Sequence, residues 1–393
     1  MKLLMRSTDG NLFRQGSDVR ARIAGYGATE ESVHVVVLGR GGAHRLNDEI
    51  APNVFLYGAI GRNRVGRLIA AYRTAGRLLS SGGRWVISAQ DPFEVGTIGF
   101  LLRVRFGVPL ELQVHTDFLS PYFAAESVKN QFRVFLGKLL VPRADSVRVV
   151  SERIREGLLA RRLADSHNVS VLPVFVNPDD FRPDGRRRAK KGSGKAAAGA
   201  TILMMSRLTR EKNIPLAIEA VGKLIASHPN LTLRIIGDGP ELRSLQRITE
   251  NLKLNKNVQF EEWTNSAAAE YQAADMFLIT SNYEGYGRTA VEAMLAGVPV
   301  VMTDVGVAGS LVRDGETGRI VPVGDAGALA EAIVDLIAHP EKREAVRVAA
   351  RKAVRRLPGK SDYFGAAGAL FRRLRPKLCY VLPSYREDDG THF

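Results

Sequence analysis

SNYEGYGRTAVEAM, residues 281–294, connects a short apolar segment to a helical pattern that begins near Arg288. The apolar segment, residues 276–280, has the composition of a buried strand. Gly285 and Gly287 lack a Cβ, so the backbone between strand and helix can approach a ligand closely. A glycine turn that opens a helix also presents free N–H groups at the positive end of the helix dipole, which suits a phosphate. The stretch therefore predicts a strand–turn–helix unit with an anion site at its turn.

Two glutamates flank this turn. Glu284 precedes the turn, and Glu292 lies eight residues later on the predicted helix. A carboxylate can accept hydrogen bonds from two hydroxyls of a sugar or ribose. On spacing alone, an ordinary strand–helix turn with two solvated glutamates remains the alternative.

Strand-like segments alternate with helical patterns along both halves of the chain. They are rich in Val, Ile, Leu and Met, as strands buried on both faces of a parallel sheet are. They span residues 2–5, 33–38, 85–88, 110–115, 146–150, 201–205, 231–236, 258–261, 276–280 and 298–303. The alternation predicts an α/β protein with two Rossmann-like, doubly wound parallel-sheet domains facing a cleft. Ligands of such sheets bind beyond the carboxyl ends of the strands.

The length of 393 residues suits two domains. We expect a first domain over residues 1–182 and a second domain over residues 200–357. Between them, residues 183–199 are basic and Gly-rich and predict a linker. The tail, residues 358–393, could return to the first domain.

A basic loop follows the first predicted strand of the second domain. Within MSRLTREKN, residues 205–213, Arg207 offers a bidentate fork and Lys212 a point charge. Together they can neutralise a departing diphosphate, although an exposed basic loop would have the same sequence. Gly237 and Gly239, after the next strand, resemble part of a dinucleotide fingerprint, but the last glycine is missing, which favours a structural role.

A histidine, His115, ends a predicted strand of the first domain and is followed by Asp117. A lone histidine is usually structural. The aspartate could orient it or cap the next turn.

These motifs together resemble the retaining glycosyltransferases of family 4, which have the GT-B fold. The pair Glu284 and Glu292, with seven residues between them, matches the family's glutamate pair. Further similarity lies in residues 144–152, 171–181, 293–301 and 314–318. The resemblance is good from about residue 85 to 340 and weaker before it.

The resemblance implies a role for each matching residue. The first glutamate would contact the donor sugar and the second the ribose, and the backbone between them would hold the diphosphate. It places an Arg and a Lys against the donor phosphates and a histidine close to the reacting sugar. The implied catalytic residues are His115, Glu284, Arg207 and Lys212. The implied donor-binding residues are Gly16, Arg207, Lys212, Glu284, Gly285, Tyr286, Gly287, Arg288, Thr289 and Glu292.

Two positions depart from the family pattern. The family often has a Gly-Gly loop after the first strand, where only Gly16 with Ser17 stands here. Glu262, before Trp263, replaces a more usual glycine, so contacts to the base are not assigned.

The sequence has no Asp-x-Asp motif, so we expect the protein rather than a metal to meet the charge of the leaving diphosphate. No metal and no cofactor are expected beyond the nucleotide-sugar substrate. The resemblance implies retention of anomeric configuration, by same-face attack in which the leaving phosphate takes the acceptor proton. Glu284 and His115 would then be positioning groups.

The net charge of +15 favours an anionic partner: nucleic acid, an anionic membrane or a phosphorylated substrate. Residues 62–79 form a basic amphipathic pattern with Val65, Leu68, Ile69, Tyr72 and Leu79 near one face. Such a helix could lie on anionic lipid or pack on its own sheet. Val128, Phe132, Phe135 and Leu139 pose the same choice.

We therefore expect a cytoplasmic enzyme, peripheral at the inner face of the plasma membrane, that transfers a sugar to a cell-surface glycan or lipid-linked acceptor. The single cysteine, Cys379, excludes an internal disulfide. Three alternatives stay open: a nucleotide-sugar epimerase of the same fold, an inactive scaffold, and a basic nucleic-acid- or membrane-binding protein without catalysis. Nucleic acid is not expected, because stacking aromatics are not interleaved with the basic residues.

Overall fold

The computed structural model describes residues 1–38, 47–181, 199–264, 266–374 and 377–379. These residues form two α/β domains, each built on a largely parallel sheet, which confirms the predicted fold class. The predicted linker lies outside the described residues, except for Gly199.

Nine described strands form the sheet of the first domain. They are β1 (Lys2–Ser7), β2 (Ser32–Val37), β3 (Asn47–Ala51), β4 (Val54–Gly58), β5 (Gly83–Ala89), β6 (Leu110–Val114), β7 (Ser146–Val149), β8 (Val169–Val171) and β15 (Lys377–Cys379). The order is β3-β4-β2-β1-β5-β6-β7-β8, with β15 antiparallel to the start of β5. The order reverses between β1 and β5, so the loops after these two strands flank a switch point.

Six parallel strands form the sheet of the second domain. They are β9 (Thr201–Met205), β10 (Thr232–Ile236), β11 (Val258–Glu261), β12 (Met276–Ile279), β13 (Val300–Thr303) and β14 (Arg319–Val321). Their order, β11-β10-β9-β12-β13-β14, has its switch point between β9 and β12. The basic loop with Arg207 follows β9 and the glutamate–glycine turn follows β12, so the topology itself brings the two motifs together.

Helices cover both faces of the sheets. The described α-helices are α1 (Asp18–Gly25), α2 (Arg64–Leu79), α3 (Glu94–Phe106), α4 (Pro121–Ala125), α5 (Val128–Leu140), α6 (Glu152–Ala160), α7 (Ile214–Leu224), α8 (Leu242–Asn251), α9 (Ala267–Ala273), α10 (Arg288–Ala296), α11 (Ala326–Ala338), α12 (Pro340–Val354) and α13 (Lys360–Arg373).

Strand β1 shows how the core of the first domain is layered. Alternate side chains of a strand point to opposite faces. Leu3 and Met5 are fully buried in a cluster with Phe371 of α13. Leu4, between them, is buried in a different cluster with Ala75 of α2. Helix α13 therefore packs on the first domain although it follows the second in the sequence.

All ten predicted strands are present, with ends within two residues of the prediction. Five strands were not predicted. β8, β14 and β15 are three residues long, too short for a periodic pattern, and β3 is a charged edge strand, NDEIA. β4 was not predicted, because it follows the charged strand β3 directly through a tight turn.

The single apolar face predicted for α2 is divided into two parts in the structure. Leu79 is fully buried with Ala71 and Ala75, so the helix packs on its own sheet. Val65 and Ile69 remain exposed at 62% and 47%. The helix thus has an inner apolar stripe and a separate outer one, rather than a single face.

Candidate functional site

The two domains meet closely where β6 and β12 end. Gly285 lies so near the first domain that a Cβ built on it would be 1.9 Å from the carbonyl oxygen of His115. Only glycine fits at such a distance. The predicted turn and the predicted histidine, far apart in sequence, therefore face each other across the cleft.

The first glutamate of the pair is held by a lysine from the neighbouring loop. Glu284 Oε1 is 2.5 Å from Lys212 Nζ and accepts a hydrogen bond from Ser281 Oγ at 2.9 Å. The two charged side chains are only 16% and 18% exposed. Arg207 lines the same cavity of about 160 Å³, and its guanidinium contacts Glu211 at 3.2 Å. Three of the four predicted catalytic residues thus share one cavity.

The second glutamate is buried on α10. Glu292 is 7% exposed, accepts a hydrogen bond from the Tyr271 hydroxyl at 2.9 Å and pairs with Arg288 Nε at 2.6 Å. Burial, followed by the negative charge of Glu292, raises the pKa of Tyr271. The phenol is therefore a firm donor to the carboxylate. Its part in the site was missed, because nothing in the sequence links residues 21 positions apart on different elements.

A cavity of about 540 Å³ opens above this carboxylate. Trp263 lines it and is 58% exposed, so a flat aromatic surface lies beside the buried carboxylate. Thr289 lines both this cavity and the smaller one that holds Glu284. One elongated ligand could therefore reach from one glutamate to the other along the start of α10.

The start of α10 is an open helix end. Gly287 occupies the N-cap position with φ of +87°, a left-handed conformation that favours glycine, and no side chain caps the helix. The first N–H groups of a helix have no partner within it. Arg288 and Thr289 supply such groups beside both cavities. This end of α10 suits an anion.

The glycines after β10 have a structural role. A Cβ on Gly237 would lie 1.9 Å from the Ser206 carbonyl oxygen, and one on Gly239 would lie 2.3 Å from the Leu208 carbonyl oxygen. Both glycines allow this turn to pack against the loop that carries Arg207. Their effect on the site is to hold that loop in place.

Behind His115 lies a chain of buried polar side chains. The His115 Nε2 atom is 2.9 Å from Gln113 Oε1. The amide nitrogen of Gln113 donates to Ser88 Oγ at 2.6 Å and to Glu111 Oε1 at 3.2 Å. Glu111 also accepts from Ser88 at 3.0 Å and pairs with Arg148 Nε at 3.4 Å. Four of the five side chains are no more than 4% exposed.

This network selects one tautomer of His115. A carboxylate paired with an arginine only accepts hydrogen bonds, so the Gln113 amide must turn its nitrogen toward Glu111 and its oxygen toward the ring. The ring nitrogen Nε2 must then carry the proton, leaving Nδ1 with a lone pair. Desolvation, followed by the positive charges of Arg148 and Arg22, lowers the pKa of His115 well below its usual value. The ring, open to the cleft, is therefore neutral.

A cleft cavity of the first domain has a volume of about 480 Å³. It is lined by the loops after β1 and β5, residues 7–9 and 90–93, by His115 and by Arg207 across the cleft. Arg207 also lines the cavity that holds Glu284, so the two cavities adjoin. Gly16 is exposed, has φ of +75° and does not line this cavity, so its role in donor binding stays a prediction.

Two contacts between the domains flank the cleft. The Tyr283 hydroxyl donates to Glu126, and its ring packs edge-to-face on Phe123 with 5.3 Å between centroids. Arg153 pairs with Asp304. Tyr283 directly precedes Glu284 in the sequence. Residues 123–126 of the first domain are therefore in contact with the turn that carries Glu284.

Within the described residues, no group of three or more His, Cys, Asp or Glu side chains could hold a metal ion. In that same part of the chain, no helix is long and apolar enough to cross a membrane.

Two family models match the chain side by side. The one described as "Glycosyl transferases group 1" matches residues 185–353, and the one described as "Glycosyl transferase 4-like domain" matches residues 15–174. Together they contain both halves of the cleft.

Curated relatives are similar over part of their length. A GDP-mannose-dependent alpha-(1-6)-phosphatidylinositol monomannoside mannosyltransferase of Mycolicibacterium smegmatis is 33% identical over 53% of this chain and 57% of its own. D-inositol 3-phosphate glycosyltransferase 2 of Catenulispora acidiphila is 29% identical over 63% of this chain and 61% of its own. The chain thus spans less than two thirds of the length of these relatives.

Solved structures share the fold over nearly the whole chain. Sucrose-phosphate synthase of Thermosynechococcus elongatus has a TM-score of 0.81 at 22% identity, covering 95% of this chain and 99% of that one. Anabaena HepE in complex with UDP-glucose has a TM-score of 0.75 at 20% identity, covering 95% and 100%. At these identities the likeness shows the GT-B fold alone.

Proposed function

Since the chain belongs to the group 1 glycosyltransferases of GT-B fold, we propose that it transfers a sugar from a nucleoside-diphosphate donor to an acceptor, with retention of anomeric configuration. The observation that carries the proposal is the arrangement around α10. Two carboxylates, two cations and an open helix end lie along one path between two connected cavities.

Each group of this path fits one part of a nucleotide sugar. The buried carboxylate of Glu292, beside Trp263, suits the ribose hydroxyls and a stacked base. The start of α10, with Lys212 and Arg207, suits the diphosphate. Glu284 suits hydroxyls of the donor sugar. The solved HepE complexes contain UDP and UDP-glucose, which supports a donor of this class.

The proposed reaction exchanges one bond at the anomeric carbon. The bond from that carbon to the diphosphate oxygen breaks, a bond to the acceptor oxygen forms on the same face, and the acceptor proton passes to the diphosphate. Negative charge grows on the leaving diphosphate, where Arg207, Lys212 and the helix end can meet it without a metal. Glu284 and the neutral His115 position the sugar.

The acceptor would occupy the 480 Å³ cavity of the first domain. We propose a glycan or lipid-linked acceptor of the cell envelope, reached from the cytoplasmic face of the membrane. Support comes from the name of the mycolicibacterial relative, which includes a phosphatidylinositol monomannoside. The outer stripe of α2, with Arg62, Val65, Ile69 and Arg73 exposed, is compatible with an anionic membrane.

The test is release of nucleoside diphosphate from a panel of UDP-, GDP- and ADP-sugars in EDTA, with and without a bacterial lipid extract. Lys212→Met is the site variant, and Lys223→Met, on the half-exposed side of α7, is its matched control. We expect turnover of one donor, increased by lipid, retained in the control and lost in the site variant. Isomerisation of the donor sugar in the absence of an acceptor would favour the epimerase alternative. Absence of turnover with every donor would overturn the proposal that the protein is a glycosyltransferase.

A further inference from the structure

Helix α5 turns apolar side chains outward. Val128, Phe132, Phe135 and Leu139 are 80%, 59%, 59% and 38% exposed. Their spacing of three and four residues puts them on one helical face, and the two phenylalanine rings stack with 6.2 Å between centroids. The opposite face is buried through Asn130, Gly137 and Leu140. This pattern is the reverse of an ordinary surface helix, whose outer face is polar.

The apolar surface extends over the two neighbouring helices. α3 packs between α2 and α5. It exposes Leu101 at 50% and Val104 at 65%, and α2 exposes Val65 and Ile69. Three adjacent helices therefore each present large apolar side chains to solvent. Surfaces of this kind mark interaction sites.

The charge around this surface is mostly positive. Residues 52–90 and 127–144 contain no Asp or Glu. Their basic residues are Arg62, Arg64, Arg67, Arg73, Arg77, Arg84, Lys129, Arg133, Lys138 and Arg143. The acid at the start of α3, Glu94, is already paired with both Arg64 and Arg133. An apolar face rimmed mostly by cations fits anionic lipid, since headgroups meet the cations while acyl chains meet the apolar groups.

The same helices touch the cleft. Arg133 of α5 and Phe93, just before α3, line the 480 Å³ cavity. Glu126, two residues before α5, contacts Tyr283 beside Glu284. A surface docked on α5 would therefore lie next to the cavity assigned to the acceptor.

We propose that the outer face of α5, led by Phe132 and Phe135, inserts into an anionic bilayer and so brings the cleft to acceptors embedded in it. The acceptor part of this inference rests on the proposed glycosyl transfer, whereas the membrane contact does not. Insertion is expected rather than surface attraction alone, because the exposed rings of Phe132 and Phe135 would leave water for the acyl region.

The test is sedimentation of the full chain with vesicles of phosphatidylcholine alone or with added phosphatidylglycerol, without substrates. The variant is Phe132→Ser/Phe135→Ser. The matched control is Leu252→Ser/Val348→Ser, which removes apolar residues of similar exposure, 48% and 54%, from the second domain. All four positions are exposed, so thermal unfolding should stay as in the parent.

We expect the parent and the control to bind the anionic vesicles and the α5 variant to bind at least about tenfold more weakly. Binding of the parent should persist partly in high salt, because insertion is less screened than surface attraction. Equal binding by parent and α5 variant would overturn the proposal. So would absence of vesicle binding combined with a dimer that the same variant abolishes, which would assign the face to a second copy of the chain. Because no donor is present, failure of sugar transfer would leave this result unaffected.

Discussion

Gly285 provides the most quantitative test of the cleft. An alanine Cβ there would lie 1.9 Å from the His115 carbonyl oxygen. Carbon–oxygen contacts of this type are normally no shorter than about 3.3 Å, so the turn and the end of β6 must separate by roughly 1.4 Å. Misplacement of reacting groups by about 1 Å can cost roughly 100-fold in rate, or about 2.7 kcal/mol. We expect Gly285→Ala to lower kcat/KM by about that factor.

The folded state should tolerate the same change, because each domain keeps its own core. The matched control is Gly365→Ala, which has no atom within 4 Å of its added Cβ and lies on the exposed face of α13. Alanine favours a helix over glycine by about 1 kcal/mol, so the control should be fully active and no less stable. Steady-state kinetics and urea unfolding of both variants measure the two effects. Gly285→Ala with kcat/KM within about twofold of the parent would refute the close approach of the domains.

Three further changes probe single side chains. Tyr271→Phe removes the donor to buried Glu292 and should weaken nucleotide binding by about 1–3 kcal/mol in calorimetry; unchanged affinity would contradict the ribose assignment. Gln113→Leu should let the His115 ring show both neutral tautomers by nitrogen NMR, where the parent shows Nε2–H alone; a mixture in the parent would disprove the network. Burial and, to a smaller extent, the positive charge of Lys2 lower the pKa of His34 to about 4. Its folded-state pKa thus lies below the unfolded value of 6.5, so its contribution to stability is complete above pH 6.5 and lost as pH falls toward 4. His34→Gln should lose less unfolding free energy than the parent between pH 7 and pH 5, and an equal loss would contradict the shift.

Much of the fold could be predicted from the sequence, because buried parallel strands are continuous apolar runs. The turn with Glu284 and Glu292 was also predictable, since its glycines and carboxylates are consecutive in the chain. The meeting of Lys212 with Glu284 follows from strand order, as β9 and β12 are neighbours. The sequence could not show that Tyr271 supports Glu292, because that contact depends on how two helices pack.

The chain of buried polar side chains behind His115 could not be predicted from the sequence either. Its members sit on three different strands and alternate with apolar residues, so each one resembles an isolated polar residue in a strand. Helix α2 shows a related limit: periodicity predicted one apolar face, but packing divided it into a buried stripe and an exposed one. A linear pattern records which residues are apolar and not which neighbour covers them.

The proposed function requires that one nucleoside diphosphate binds along the start of α10. The direct measurement is its Kd by calorimetry in EDTA for the parent, Lys212→Met, Glu292→Gln and the control Lys223→Met. We predict binding of one of UDP, GDP or ADP to the parent and the control, and a Kd at least about tenfold higher in both site variants, as loss of a charged hydrogen bond implies. An equal Kd in all four proteins, or no binding of any of the three nucleotides to the parent, would contradict the assignment of the site.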